Sequence, residues 1–221
     1  MENKHVEAAR LIQEGKLEEA AKLLNEAIEE NPNDALAYVN FGHLVSIVGE
    51  KEKAIVFYNK ATEIDGSLAT AYYGAGNTYF ELEKYEEAID SFKKAVENGL
   101  VEADAYFMLG LCYYNLGLLP YALANLKTAT EKNPDDVDAL FQYGLTLAQL
   151  EQVDEAVSVF ENVVQKNENH ADAYYNLGVA FAFKEDAAKA ISMFDKAIKI
   201  QPDHLLAGNG KKQLETLLRE E

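Results

Sequence analysis

The sequence predicts an all-α protein of six tandem 34-residue helical hairpins followed by one further helix. Three observations predict it. Alanine recurs at Ala20, Ala54, Ala88, Ala122, Ala156 and Ala190, and glycine at Gly42, Gly76, Gly110, Gly144 and Gly178, always 34 residues apart. A ring or leucine keeps the same beat at Leu24, Tyr58, Phe92, Leu126, Phe160 and Phe194. The stretches between these columns have apolar residues at helical spacing. Phase-locked columns of this kind mark stacked repeats, each burying its apolar face against the next.

Repeat 1, residues 1–34, has Lys4, Glu7 and Ala8 where its neighbours carry ring, leucine and glycine residues. That suits an end repeat with a wet outer face. Repeat 2 spans 35–68. In repeat 3, 69–102, helical spacing runs from Ala71 to Phe80, Glu83 to Glu86 marks a turn, and Ala88 to Val96 is a second amphipathic stretch. Gly99 supplies the left-handed conformation with which helices often end. In repeat 4, 103–136, Pro120 falls early in the second helix, where its missing N–H costs little. Repeat 5, 137–170, has Val163 in a column that is otherwise Ala27, Ala61, Ala95, Ala129 and Ala197. Repeat 6 is 171–204; Pro32, Pro134 and Pro202 close repeats 1, 4 and 6. In the tail, 205–221, Leu206, Leu214, Leu217 and Leu218 share one side of a helix whose start is left open by Gly208-Asn-Gly210. Both ends read as capped, so the array is expected to be complete. The small columns have a physical reason: helices approach within about 8–10 Å only where the crossing side chains are small.

The run from Tyr174 to Phe181 (YYNLGVAF), with Ala190, Phe194, Ala197 and Pro202 after it, resembles the signature of the tetratricopeptide repeat (TPR) family. The resemblance covers essentially the whole chain. It implies a right-handed α-solenoid, a superhelix of six TPR hairpins on 1–204, with 205–221 as the C-terminal solvating helix. It also implies that first helices line a concave groove reached from places 2, 5, 6, 9, 12 and 13 of each repeat.

Those places carry rings at Tyr73, Phe80, Phe107, Tyr114, Phe141, Tyr175 and Phe183, with Met108 beside them. Amides stand at Asn40, Asn77, Gln142 and Asn176, and His43 lies among them. Asp104, Asp138 and Asp172, with Glu2 and Glu81, are the acids, and no lysine or arginine occupies any of these places. Amides donate and accept, so they can satisfy the backbone of a bound segment. Ring faces attract cations, and unbalanced carboxylates steer basic partners. The expected partner is therefore another protein or peptide segment mixing basic and apolar residues. Two alternatives stay open: the rings belong to the helix packing, or the groove receives the leucine-rich tail of a second copy as a self-assembling homo-oligomer.

The net charge of −18 argues against nucleic acid and anionic membrane surfaces as partners. No apolar run approaches the roughly 18–20 residues of a membrane span, and Met1 to Glu7 lacks the pattern of a secretory signal, so the expected location is cytoplasmic. Cys112, the single cysteine, sits in an apolar stretch and reads as a buried structural thiol. His170 and His204 close successive repeats and read as loop or helix-start residues. No metal-ligand spacing, phosphate loop or nucleophile elbow is present, so no cofactor and no catalysis are expected. The acidic pairs Glu18-Glu19, Glu86-Glu87 and Asp154-Glu155 precede the second-helix alanine, where negative charge suits a helix start. The lysine, asparagine and arginine pattern of a chaperone-binding carboxylate clamp is not met: from repeat 1 only Asn40 matches.

Overall fold

A computed structural model describes residues 2–220, with side chains from Lys4 to Arg219. The Glu2 side chain, one of the expected groove acids, and Glu221 at the tail end lie outside the described residues. The chain forms two compact units, Met1–Leu116 and Gly117–Glu221. The first holds α1 (Glu2–Gln13), α2 (Leu17–Glu30), α3 (Ala35–Ile47), α4 (Lys51–Ile64), α5 (Ala69–Glu81), α6 (Tyr85–Glu97) and α7 (Ala103–Asn115). The second holds α8 (Leu119–Lys132), α9 (Val137–Gln149), α10 (Val153–Lys166), α11 (Ala171–Phe183), α12 (Ala187–Ile200) and α13 (Leu205–Glu220). Among the described residues every element is a helix, and within each unit each helix packs on the next in sequence. First helices also touch one another, α1–α3–α5–α7 in one unit and α9–α11–α13 in the other. They form one wall per unit.

Three first helices, α3, α9 and α11, and the tail helix α13 begin at a side-chain cap, whereas α5 and α7 have none. Asp34 and Asp136 accept the N–H of Ala37 and Ala139 at 3.3 and 3.0 Å. His170 and His204 do the same through Nδ1, from Ala173 and Ala207, both at 3.2 Å. The capped alanines are fully buried, because the start of the first helix presses on its neighbours. The tail follows the same rule. His204 fixes the start of α13, and the helix runs unbroken through Gly208-Asn-Gly210.

First helices end on a left-handed residue that the sequence only partly discloses. Gly15, Gly49 and Gly117 take it at φ 73°, 85° and 71°, but Glu83, Glu151 and Glu185 stand in the same column at 58°, 60° and 60°. Glu151 donates to the Ala148 carbonyl and Gln152 reaches back to Leu147, the paired bonds of a Schellman motif. A Cβ in this region costs roughly 1–2 kcal/mol, partly offset by the larger chain entropy that glycine loses. Glu151→Gly is therefore expected to raise stability by about 0.5–1 kcal/mol. A urea midpoint that stays or falls would contradict this.

In four repeats, at Gly42, Gly76, Gly144 and Gly178, the glycine is explained by the ring that lies against it. A Cβ on Gly76 would lie 2.7 Å from Phe92, and one on Gly178 would lie 2.5 Å from Phe194, so the second-helix ring rests directly on first-helix backbone. Repeat 1 corrects one expectation. Ala8 is fully buried rather than part of a wet face, and it belongs to the same cluster as Leu24. A leucine in the ring column leaves room for the extra methyl. The tail corrects another. Only Leu214 of its four expected leucines packs against the core, together with Ala207, while Leu206, Leu217 and Leu218 are exposed. Docking runs along the side of Ala207 and Leu214; Leu206 points about a quarter turn away from it, and Leu217 and Leu218 lie about one turn beyond Leu214. Cys112 is buried as expected, and burial pushes its thiol up to about 12.

Candidate functional site

The wall of the first unit carries a concavity. On α5, Tyr73, Asn77, Phe80 and Glu81 lie at helical spacing on one face. With Asn40 and His43 of α3 and Met108 of α7 they line a cavity of about 620 Å³. Val39, Ser46, Ile47, Thr70, Gly74 and Thr78 complete it, with Tyr58 of α4 beneath. Tyr73 is half-buried, and its ring lies 5.5 Å from that of Phe92. Burial raises the Tyr73 pKa; the nearby Asn77 amide opposes this, and the Asp104 carboxylate adds a smaller upward push. Burial pushes Tyr58 up to about 12, with a contribution from the charge of Glu81. Glu81 is itself paired with Lys51 at 3.0 Å. Phe80 is braced edge-on by Tyr85 at 5.6 Å.

In the second unit the wall rings are held between two partners. Phe141 lies 5.8 Å from Phe160 and 4.5 Å from His170, and Tyr175 lies 6.0 Å from Phe194 and 5.2 Å from His204. Because Nδ1 of His204 accepts a cap bond, Nε2 carries the ring hydrogen. It faces Asp172 at 3.2 Å, close but poorly aligned for a hydrogen bond. Asn176 donates to the Asp172 carbonyl at 2.7 Å, and the Gln142 amide nitrogen is buried without a partner. Asp138 and Asp172 border a second cavity, of about 530 Å³, with His170. Tyr175 borders a third, of about 460 Å³, with Val179, Phe194, Leu206 and Leu217.

Asn40, Tyr73, Asn77, Phe80, Phe107, Met108, Tyr114, Phe141, Gln142, Tyr175 and Asn176 are half-buried, whereas His43, Asp104, Asp138, Asp172 and Phe183 are exposed. The cavity on the first wall gathers seven of the expected residues, Glu81 among them, but not Asp104, Phe107 or Tyr114. In the second unit Phe141, Gln142, Asn176 and Phe183 border neither cavity described above. Gly74 and Tyr58 were not singled out from the sequence. The signal was available: glycine at a place that holds valine, asparagine, methionine or glutamine in other repeats, opposite the one ring of its column that bears a hydroxyl.

Models described as tetratricopeptide repeat match residues 11–34 and 35–67, 69–98, 104–136, 125–158 and 144–204. The chain belongs to the tetratricopeptide repeat family. The TPR repeat-containing protein YrrB of Bacillus subtilis (strain 168) is 51% identical over 39 residues, a stretch spanning 18% of this chain and 19% of that curated relative. A crystal structure of YrrB, described as a TPR protein with an unusual peptide-binding site, matches with a TM-score of 0.81 and 49% identity, covering 86% of this chain and 97% of that one. A crystal structure of MamA protein matches with a TM-score of 0.73 and 25% identity, covering 76% and 92%. The Pseudomonas aeruginosa pilF structure shares the fold at a TM-score of 0.81 and 19% identity, covering 96% of each chain.

The TPR fold is a scaffold for protein interaction and is generally non-catalytic. The chemistry of the walls is of that kind: rings, amides and carboxylates present contact area and hydrogen bonds. Among the described residues no group of three or more His, Cys, Asp or Glu side chains could hold a metal ion. No helix among them is long and apolar enough to cross a membrane.

Proposed function

We propose that this TPR protein is an adaptor that holds a partner's polypeptide segment, mixing basic and apolar residues, against its first-helix walls. One observation carries the reading. In the first unit α3, α5 and α7 surround a cavity of about 620 Å³ with amides, rings and a carboxylate, and no lysine or arginine lines it. Half-buried rings are held by their inner edges and leave the outer edges for a guest, so little order is lost on binding. Asn40 and Asn77 can serve a guest's backbone, while Glu81 and Asp104 favour cationic side chains. The second wall offers the same elements in Asp138, Phe141, Tyr175 and Asn176. The description of YrrB as a peptide-binding TPR protein supports this reading.

The test compares the wild type with the double variant Asn77→Ala, Met108→Ala in partner recovery from the source cell. Both side chains lie on the wall, so helicity and melting are expected to hold while recovery drops at least about tenfold, the effect of losing roughly 1.4 kcal/mol. Recovery by the wild type is also expected to weaken as salt rises, because the steering charges are screened. Equal recovery by both proteins would remove the first wall from the account.

A further inference from the structure

The floor of the first-unit cavity is unlike the same place in the other repeats of this chain. Place 6 of the repeat is Val6, Asn40, Gly74, Met108, Gln142 and Asn176 in turn, so only repeat 3 has no side chain there. The ring column beneath is leucine or phenylalanine except at Tyr58. The two exceptions meet. A Cβ on Gly74 would lie 2.4 Å from Cε1 of Tyr58 and 3.0 Å from its hydroxyl oxygen. The phenol thus occupies the position where a side chain would leave the α5 backbone, and a Cβ on Gly42 would likewise lie 2.9 Å from its Cε1. Tyr58 is only 3% exposed, yet it lines the cavity. The result is a notch with a hydroxyl in its floor, the Asn40 and Asn77 amides on its sides, the Tyr73 ring beside it and Glu81 at its rim.

We infer that this notch is an arginine pocket, receiving the guanidinium of one side chain of the bound segment; the inference rests on the adaptor reading above. A planar fork of five N–H donors can bond the Tyr58 oxygen, the amide carbonyls and the Glu81 carboxylate together while lying against the Tyr73 ring. An ammonium has fewer donors, and no plane to stack on the ring. An aliphatic side chain would cover the hydroxyl and amides without satisfying them, and a carboxylate would face Glu81. The fields of Glu81 at Tyr58 and of Asp104 at Tyr73 show that negative charge reaches the site. Lys51 holds Glu81 from outside the cavity lining, so guest and Lys51 compete for one carboxylate.

The test uses the full chain and two blocked pentapeptides, Ala-Ala-Arg-Ala-Ala and its counterpart with neutral, isosteric citrulline, titrated to millimolar concentration. Binding is read from the side-chain amide NMR signals of Asn40 and Asn77. The arginine peptide is expected to move both signals and to bind about tenfold more tightly than the citrulline peptide, as a charge-assisted hydrogen bond implies. Tyr58→Phe, which removes only the oxygen, should weaken the arginine peptide about tenfold or more, the worth of one hydrogen bond to a charged group. Lys51→Met, which frees Glu81, should tighten it. Equal affinity for the two peptides, no response to Tyr58→Phe, or no movement of either amide would overturn the arginine pocket. These outcomes leave the adaptor reading to the recovery experiment, whose variants keep Tyr58 and Gly74.

Discussion

Replacing Phe160 with alanine is expected to cost about 3–5 kcal/mol, the range for emptying a buried ring site. Phe160 is 0% exposed and sits in one cluster with Leu147, Ala156, Leu177 and Ala190. It also supports Phe141 of the wall at 5.8 Å. The cavity could not close easily. On one side stands Gly144, which has no side chain to move in, and on others are alanines already in contact. Because stacked repeats depend on nearest neighbours, the loss should appear as early unfolding of the second unit rather than a uniform shift. Urea unfolding followed by circular dichroism checks this. Phe183→Ala is the control: at 69% exposed, its removal should move stability by no more than about 0.5 kcal/mol. Equal midpoints for the two variants would show that depth under the wall does not decide the cost.

The period made most of the fold legible. A 34-residue beat places every helix, because packing one hairpin on the next demands small residues at the crossing and a filler beside it. Backbone signs were less visible. Glu83, Glu151 and Glu185 occupy a left-handed column that glycine would have announced. The histidines were readable as helix-start residues, but the use of Nδ1 as the cap acceptor depends on tautomer and orientation, which no spacing encodes. The site shows the same division. Helical phase puts Tyr73, Phe141 and Tyr175 at equivalent places of their first helices, and all three are half-buried there. Phase does not say how deep a ring sinks, and that depth is set by the second-helix ring it meets, Phe92, Phe160 or Phe194. A notch is harder still to read, since it is a missing side chain that matters only when something lies beneath it.

Gly144→Ala tests the packing rule from the opposite side and is expected to destabilise by about 1–3 kcal/mol, as overpacking of a filled core does. Two effects oppose each other. Alanine in a helix interior gains about 1 kcal/mol over glycine, but its Cβ would lie 2.7 Å from Cε1 and 2.9 Å from Cδ1 of Phe160. That ring is fully buried and braced by Phe141, so it has nowhere to retreat and the clash wins. Gly208→Ala isolates the first effect, since a Cβ there meets nothing within 4 Å, and it should stabilise α13. Repeat 1 already contains the cure. There Ala8 stands in the glycine column and Leu24, not a ring, lies in the column opposite, both buried in one cluster. The double variant Gly144→Ala, Phe160→Leu rebuilds that pairing in the second unit. It should be more stable than the sum of its single changes by about 1 kcal/mol or more, within the range of coupling between touching residues. Strict additivity in urea midpoints would mean that the glycine column exists for some reason other than the ring above it.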